Sequence, residues 1–310
     1  MTSPGGHAAT PSRTSVDHGK RLLPQPVKQG VRRALRSWGR ATASVRPLPD
    51  FLILGTKRGG TTSLWNYLLD HPGVLPMWPA AENLKSPHYF YWHHGKGVQW
   101  YRSFFPTDAT RRLAARRLGH RVVAGEASPY YLYDPRVPAR VSTELPDARL
   151  IVVLRDPVER AFSHYKERVR AGVEPLSFEE ALAAEPERLA GELDAMQADP
   201  DYYSRPHDWY SYRDRGVYAP QLRRWQQTFP ASSLLIMPSE ELYADPQGTI
   251  DQVSSFLDLP PAPLRSAERW NFKPAEGMRP DTRAQLQGFY RPHNADLYRL
   301  LGRDLGWDEP

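Results

Sequence analysis

A glycine-rich loop that carries two cations and three hydroxyls has the composition of an anion-binding site. It follows the apolar run Phe51–Leu54 and reads Gly55-Thr56-Lys57-Arg58-Gly59-Gly60-Thr61-Thr62-Ser63. Glycines let backbone N–H groups turn towards an anion, and the start of a following helix attracts negative charge. The positive charges come from Lys57 and Arg58, and Thr61, Thr62 and Ser63 supply hydroxyl donors. The sequence therefore predicts that this loop binds a phosphate group.

The loop differs from the phosphate loop of nucleoside triphosphatases, which reads G-x-x-x-x-G-K-[ST]. Thr61 follows Gly60 where that motif has its lysine, and the two cations come earlier, at positions 57 and 58. The lysine that would reach the β- and γ-phosphates is thus missing from its usual place. This disfavours an ATPase or GTPase, although a small-molecule kinase that uses ATP and Mg²⁺ stays open as an alternative.

A second arginine and a serine follow another apolar run, Leu150–Leu154. Asp156 suits the N-cap of a helix, Pro157 its first position and Glu159 its third, so we predict a capping box there. This start places Arg155 at the end of a strand and Ser163 about 10 Å along the helix axis. An arginine fork and a hydroxyl on rigid elements can clamp a second phosphate.

The elements that must position these residues alternate between short apolar runs and helical stretches. The predicted strands are Phe51–Leu54, Val122–Val123, Leu150–Leu154 and Leu234–Met237, and the predicted helices include Thr62–Leu69, Pro157–Arg170, Phe178–Ala184 and Pro246–Leu257. Alternation of this kind indicates an α/β fold, a P-loop-like domain with a central parallel sheet flanked by helices. Ligands bind such sheets beyond the carboxyl ends of the strands, where both anion-binding segments begin.

Composition narrows the class of protein. The chain has 310 residues, 40% of them hydrophobic, and no cysteine, which excludes disulfides, thiolate nucleophiles and cysteine metal sites. Residues 1–49 hold nine Lys or Arg and one acid, so the net charge of +6 becomes −2 for the remainder. We therefore expect no nucleic-acid partner. We also expect a cytoplasmic protein, because residues 1–6 lack a secretory signal and no apolar run could span a membrane.

The first 48 residues differ in composition from the rest. They are rich in Pro, Gly, Ser, Thr and Arg, and only Val27–Val45 could form a short basic helix. We predict a disordered basic tail over 1–48, with one transient helix at most. It is either a solvated tail or an arm that contacts a membrane surface weakly or docks a partner. The folded domain is expected over 49–310.

The chain resembles the sulfotransferase superfamily, and within it the branch of heparan sulfate sulfotransferases and their bacterial relatives. The similar segments are Ile53–Leu64, Lys85–Phe90, Gly97–Tyr101, Gly125–Tyr130, Leu154–Tyr165 and Arg291–Trp307. The resemblance implies a sulfotransferase domain over 49–310. It also implies 3'-phosphoadenylyl sulfate as the donor and 3'-phosphoadenosine 5'-phosphate as the product, with no metal.

The resemblance implies roles for the two anion-binding segments. Residues Lys57–Ser63 would hold the 5'-phosphosulfate, whereas Arg155 and Ser163 would hold the 3'-phosphate. A late loop, Lys273–Arg283, is similar to the family's segment that closes over the nucleotide, and its Gly277 and Arg279 are the matching residues.

This chain departs from the family pattern at two positions. Arg58 stands where relatives usually have a lysine at the bridging oxygen, and arginine is a poor proton donor. Ser86 stands where many relatives have the glutamate that acts as general base. Serine cannot take that part unaided, so the candidates for the base are Glu82, His88 and Glu126, unless the acceptor needs little deprotonation.

The predicted reaction is transfer of a sulfuryl group to a hydroxyl, or an amine, of a carbohydrate or small-molecule acceptor. In it, Lys57 and Arg58 would stabilise the leaving phosphate. Two groups of aromatic residues form either an acceptor wall or ordinary core packing: Trp78, Tyr89, Phe90, Tyr91, Trp92, Trp100, Tyr101, Phe104 and Phe105, and Tyr202, Tyr203, Trp209, Tyr210, Tyr212 and Tyr218. Besides the kinase, a nucleotide-binding protein that has lost catalysis remains an alternative.

Overall fold

A computed structural model describes residues 25–268 and 277–308. Its centre is a five-stranded sheet of β1 (Phe51–Gly55), β2 (Val74–Leu75), β3 (Val123–Ala127), β4 (Arg149–Leu154) and β5 (Leu234–Pro238). The strand order is β2-β3-β1-β4-β5, and every pairing is parallel. All residues of β1 and β3 are buried. The carboxyl ends of β3, β1 and β4 therefore lie side by side at one edge of the sheet.

Helices connect and cover the strands. In chain order they are α1 (Gln25–Ala41), α2 (Thr61–Asp70), α3 (Tyr89–Trp92), α4 (Gly97–Arg102), α5 (Asp108–Leu118), α6 (Val137–Glu144), α7 (Pro157–Arg170), α8 (Phe178–Leu189), α9 (Glu192–Ala198), α10 (Arg205–Trp209), α11 (Tyr218–Thr228), α12 (Ser239–Ala244), α13 (Pro246–Phe256) and α14 (Pro280–Leu301). Short 3-10 turns include Ala43–Val45 and Ala80–Glu82. No helix among the described residues is both long enough and apolar enough to cross a membrane.

The α/β fold with a central parallel sheet is confirmed, and the two strands that carry the anion-binding segments begin and end within one residue of their predicted bounds. The short strand β2 was not predicted. One detail of the α7 start differs from the prediction. Asp156 caps the helix by accepting from the N–H groups of Val158 and Glu159, but its own N–H donates to Glu240 (3.2 Å) rather than to Glu159. The capping box is therefore only half formed, because Glu159 binds Arg283 instead (2.6 Å).

The predicted disordered tail spans residues 1–48, of which residues 1–24 lie outside the described part and residues 25–41 form helix α1. Helix α1 covers most of the stretch where a basic helix was allowed, and its second half packs on the domain. The indole N–H of Trp78 donates to the carbonyl of Leu35 (3.0 Å), and Arg36 binds Glu82 (2.6 Å). Arg46 is fully buried. These long-range contacts stabilise a segment whose composition is typical of a tail.

Candidate active site

The two predicted anion-binding segments meet at the carboxyl edge of the sheet. The guanidinium of Arg155 donates to the backbone carbonyl of Arg58 (3.2 Å), and Arg58 Nε donates to Ser163 Oγ (3.0 Å). One contact joins the ends of β1 and β4, and the other joins the loop to α7. Because β1 and β4 pair directly, both segments face the same space. The arrangement can hold two anionic groups of one ligand.

The backbone of the phosphate loop needs its two adjacent glycines. A Cβ on Gly59 would lie 2.6 Å from Thr56 Cγ2 and 2.7 Å from the carbonyl oxygen of Val153. Gly60 caps α2 in the left-handed region, with φ of 98°. The loop thus packs tightly against the end of β4 before α2 begins. The first turn of α2, a ten-residue helix, points its amide end into the loop, as an anion site requires.

A lysine that the sequence analysis gave no role reaches this loop from another segment. Lys85 Nζ donates to Thr61 Oγ1 (2.9 Å) and to Thr62 Oγ1 (3.0 Å). Its backbone carbonyl accepts from Ala127 N–H at the end of β3 (2.8 Å), which fixes its position. Burial, and next the nearby charge of Arg58, lower the pKa of Lys85 to about 7. An anion in the loop would restore the charged form.

Ser63 completes the loop from inside α2. It is fully buried, and its hydroxyl lies 3.4 Å from Tyr243 Oη. This contact turns the side chain towards α12.

Lys57 joins the phosphate loop to a cavity of about 310 Å³. The residues that line it are Lys57, His88, Tyr91, Trp92, Ser128, Pro129, Tyr130, Glu167, Arg168, Tyr203, Asp208 and Trp209. Burial lowers the pKa of Lys57 to about 8, although Asp208 and Glu167 oppose the shift. The volume is at the small end of ligand pockets, enough for a small ring system. A molecule in the cavity would therefore lie next to the anion loop.

Two carboxylates balance the cations around the cavity. Burial alone would raise the pKa of Asp208, but Lys57 and Arg215 and a hydrogen bond from Tyr203 (2.7 Å) outweigh burial and lower it. Lys57 Nζ lies 3.9 Å from Asp208 Oδ1. Glu167 pairs with the next residue, Arg168, and the positive charges around it lower its pKa in the same way. Both acids are therefore ionised at neutral pH.

His88 is the candidate base that the structure brings to the cavity. Burial lowers its pKa, so the ring is neutral at pH 7. Its Nδ1 lies 3.1 Å from Tyr91 Oη, and its backbone is held in the left-handed region with φ of 56°. Ser86 stabilises that turn by accepting from the His88 N–H (2.9 Å). In the tautomer that carries its proton on Nδ1 and donates it to Tyr91 Oη, Nε2 is the nitrogen that can accept a proton.

Glu126 lies below this turn and positions it. The carboxylate is fully buried and accepts hydrogen bonds from Ser86 Oγ (2.6 Å), Tyr101 Oη (2.6 Å) and Tyr131 Oη (2.9 Å). Burial raises its pKa to about 7, although the three donors oppose the shift. With three donors on its two oxygens and no place in the cavity wall, Glu126 holds Ser86 in place and is not set up to take a proton from an acceptor.

The structure does not bring three other predicted site residues to the cavity. Glu82 accepts a hydrogen bond from Arg36 of α1 and is not part of the cavity wall. Gly277 and Arg279 are exposed, and the part of the predicted closing loop at 273–276 lies outside the described residues. Between those two, Met278 packs in one apolar cluster with Val158 of α7, the helix that carries Ser163. Residue 278 thus adjoins the helix of the second anion-binding segment.

The two aromatic groups of the sequence divide between wall and core. From each group two members line the cavity, Tyr91 and Trp92 in the first and Tyr203 and Trp209 in the second. Trp92 and Tyr203 stack with ring centroids 4.8 Å apart. Most of the others, such as Phe105, are buried in the main core. The sequence analysis also missed Asp208 and Glu167. The available signals were the position of Asp208 directly before Trp209 and that of Glu167 four residues after Ser163.

Comparison with known proteins agrees with this site. Residues 48–287 match the family model described as "Sulfotransferase domain". The mouse protein heparan sulfate glucosamine 3-O-sulfotransferase 3B1 is 31% identical over 86% of this chain, and the mouse 3A1 protein is 31% identical over 85%. The matches cover 66% and 65% of those relatives, so the chain spans just under two thirds of their length.

A solved structure is also similar. The sulfotransferase from Alicyclobacillus acidocaldarius is 30% identical, with a TM-score of 0.63 over 84% of this chain and 99% of that one. The family match covers both anion-binding segments and every residue of the cavity wall. This chain therefore belongs to the sulfotransferase family.

Proposed function

We propose that this protein is an enzyme that transfers a sulfuryl group from 3'-phosphoadenylyl sulfate to a hydroxyl group of a carbohydrate acceptor. The observation that carries the proposal is the position of Lys57, which belongs to the phosphate loop and also lines the cavity. A donor held by the loop and an acceptor held in the cavity would meet at this side chain. Such proximity is what a group transfer requires.

The residues around the loop fit the donor. The compact Gly59–Gly60 turn leads into the first turn of α2, whose backbone amides would face the 5'-phosphosulfate. Lys57 and Lys85 are partly buried, and a bound anion would oppose the lowering of their pKa values. Arg155 and Ser163 would hold the 3'-phosphate, close to Arg58. This pairing of sites supports a nucleotide with an anion at each end.

In the proposed reaction the acceptor oxygen bonds to sulfur, and the bond between sulfur and the 5'-phosphate oxygen breaks. Negative charge then develops on the leaving phosphate, which Lys57, Arg58 and Lys85 would neutralise. Lys85 supplies the ammonium group that relatives place at position 58. It reaches the loop through Thr61 and Thr62, so the replacement by Arg58 does not leave the loop without lysine donors.

His88 would take the proton of the acceptor hydroxyl. It lines the cavity, its neutral ring can accept a proton, and the Ser86 turn holds it in place. Asp208 also lines the cavity, but the hydrogen bond from Tyr203 and the charges of Lys57 and Arg215 make it a weak base. We infer that Ser86 helps to position the base here, whereas many relatives have the base itself at that position.

The cavity supports a carbohydrate acceptor. Aromatic faces of Trp92, Tyr203 and Trp209 offer flat apolar contacts, and Asp208 offers a carboxylate to hydroxyl donors. Arg168 lies over the Trp209 ring (5.0 Å) and adds a cation for an acidic substituent. The relatives named above act on heparan sulfate glucosamine by their printed names. We propose a sugar of that general type, with an acidic group.

Binding of the donor can be tested without knowing the acceptor. Thermal stabilisation by 3'-phosphoadenosine 5'-phosphate is compared with stabilisation by ATP with Mg²⁺, in the wild type and in Arg155→Ala. We expect 3'-phosphoadenosine 5'-phosphate to raise the melting temperature more than ATP does. Arg155→Ala should lower the affinity for the bisphosphate at least about tenfold. Stabilisation by ATP alone would favour a kinase, and equal binding by the variant would contradict the assigned 3'-phosphate site.

Turnover tests the chemistry. Sulfuryl transfer from labelled donor to heparan-derived oligosaccharides is measured in single turnovers for the wild type, His88→Ala and, as a control outside the cavity wall, His93→Ala. We expect His88→Ala to slow transfer by about 100-fold or more, with little change in donor affinity. A rate within about threefold of wild type would exclude His88 as the base. Donor binding without transfer to any hydroxylated acceptor would indicate a protein that has lost catalysis.

A further inference from the structure

Helix α1 is attached to the domain along one side. Its residues Leu35 and Arg36 make the hydrogen bonds to Trp78 and Glu82, and the Arg36 guanidinium lies 4.5 Å over the ring of Phe104. Gly39 permits the close approach, because a Cβ there would lie 2.8 Å from the carbonyl oxygen of Ser103. These contacts fix which side of the helix faces the domain and which side faces outward.

The outward side carries an apolar stripe. Val27, Val31 and Trp38 are 45%, 49% and 58% exposed, and with Ala34 they are spaced at i, i+4, i+7 and i+11. At 100° per residue these four positions fall within an arc of roughly 60° on the helix surface. An exposed tryptophan in line with two valines is unusual for a surface that only contacts water.

The same helix is strongly basic. Its sequence holds five Lys or Arg and no Asp or Glu. At 100° per residue, Arg32, Arg33 and Arg40, all three exposed, lie at least about 100° around the helix from the nearest residue of the stripe. The exposed positive charge therefore lies on the half of the helix opposite the apolar stripe. This is the pattern of a helix that lies in the plane of a membrane interface.

We propose that α1 binds an anionic lipid surface, with Val27, Val31 and Trp38 inserted between headgroups and the long side chains of Arg32, Arg33 and Arg40 extending to lipid phosphates. A second copy of this chain is a poorer occupant, since pairing two such helices would bring like charges together. In a cytoplasmic protein, as the sequence predicts, the surface would be the anionic inner leaflet. The inference does not depend on the proposed sulfuryl transfer.

The test is sedimentation of the full chain with vesicles of phosphatidylcholine alone or with 30% phosphatidylglycerol. We expect binding to the anionic vesicles only, weakened by 0.5 M salt. Val31→Ser/Trp38→Ser and Arg33→Glu/Arg40→Glu should each weaken binding by at least about tenfold. The matched controls are Leu193→Ser, an exposed leucine on the acidic helix α9, and Arg116→Glu/Arg117→Glu on α5; these should bind as wild type.

Two results would overturn the proposal. One is equal binding to neutral and anionic vesicles, or none to either. The other is loss of binding in the arginine variant alone, which would mean that only charge is recognised and the stripe is not inserted. Sedimentation velocity without lipid adds a further check, because a dimer that disappears in Val31→Ser/Trp38→Ser would assign the stripe to a second copy. The melting temperature of each variant is measured as a control for folding of the domain.

Discussion

Replacing Lys85 by methionine should stabilise the folded protein and weaken its binding of the nucleotide. Methionine has similar length but carries no charge and no N–H donor. In the fold, burial lowers the pKa of Lys85 from 10.5 to about 7. Keeping the lysine charged in the folded state therefore costs roughly 5 kcal/mol, at about 1.4 kcal/mol per pH unit. The variant also loses two hydrogen bonds to Thr61 and Thr62, worth roughly 1 kcal/mol each.

The sign of the pH dependence follows from the lowered pKa. Between pH 7 and 10.5 the folded chain binds fewer protons at Lys85 than the unfolded chain, so the wild type gains stability as pH rises. At pH 6 the lysine is charged in both states, and Lys85→Met should be more stable by roughly 3 kcal/mol. At pH 9 most of the cost has been removed by deprotonation, and the difference should fall to roughly zero.

The assay is urea denaturation of the wild type, Lys85→Met and Lys96→Met at pH 6 and pH 9. Lys96 is exposed and its ammonium lies 4.6 Å over the Trp100 ring, so its replacement should change the free energy of unfolding by less than about 1 kcal/mol, and equally at both pH values. Calorimetric titration at pH 6 should show 3'-phosphoadenosine 5'-phosphate bound at least about tenfold more weakly by Lys85→Met. An equal stability gain at both pH values, or unchanged nucleotide affinity, would refute the place of Lys85 in the loop.

Two further predictions concern carboxylates near the site. Ser86→Ala removes a hydrogen-bond donor from Glu126, whose raised pKa already costs stability as pH rises from 4.5 to about 7. The variant should therefore lose roughly 1–3 kcal/mol more of its free energy of unfolding at pH 8 than at pH 5. Equal losses in urea denaturation at both pH values would contradict this. Glu82→Gln should keep the wild-type single-turnover rate within about threefold, because Glu82 binds Arg36 and not the cavity; a loss of about 100-fold would restore Glu82 as a candidate base.

The two anion-binding segments could be predicted because each is contiguous with the strand that positions it. An apolar run, a polar break and a helix start stand in order in the sequence, and a parallel sheet then brings their ends to one edge. Strand β2 could not be predicted in this way, because Val74–Leu75 is too short to show a period. Helix α1 was assigned to a tail since its partners Trp78, Glu82 and Ser103 are about 40 to 65 positions away.

The cavity depends on contacts that no local pattern reveals. Lys85 is 24 positions from Thr61, and only the alignment of its backbone with the end of β3 places its ammonium group at the loop. Asp208 becomes a site residue because α10 folds back towards Lys57. The candidate bases looked equivalent in sequence. Long-range contacts distinguish them. His88 lines the cavity, Glu126 is bonded to Ser86 without lining the cavity, and Glu82 is bonded to Arg36 of α1.

The buried Glu126 has a consequence for engineering acceptor preference. Its oxygens tie together the turn before His88, the helix that carries Tyr101 and the segment after β3 that carries Tyr131. A chimera that takes only this turn from a relative with glutamate at position 86 would place a second carboxylate next to the buried carboxylate of Glu126. The acceptor side therefore has to be transplanted as a block that includes Ser86, Tyr101, Glu126 and Tyr131.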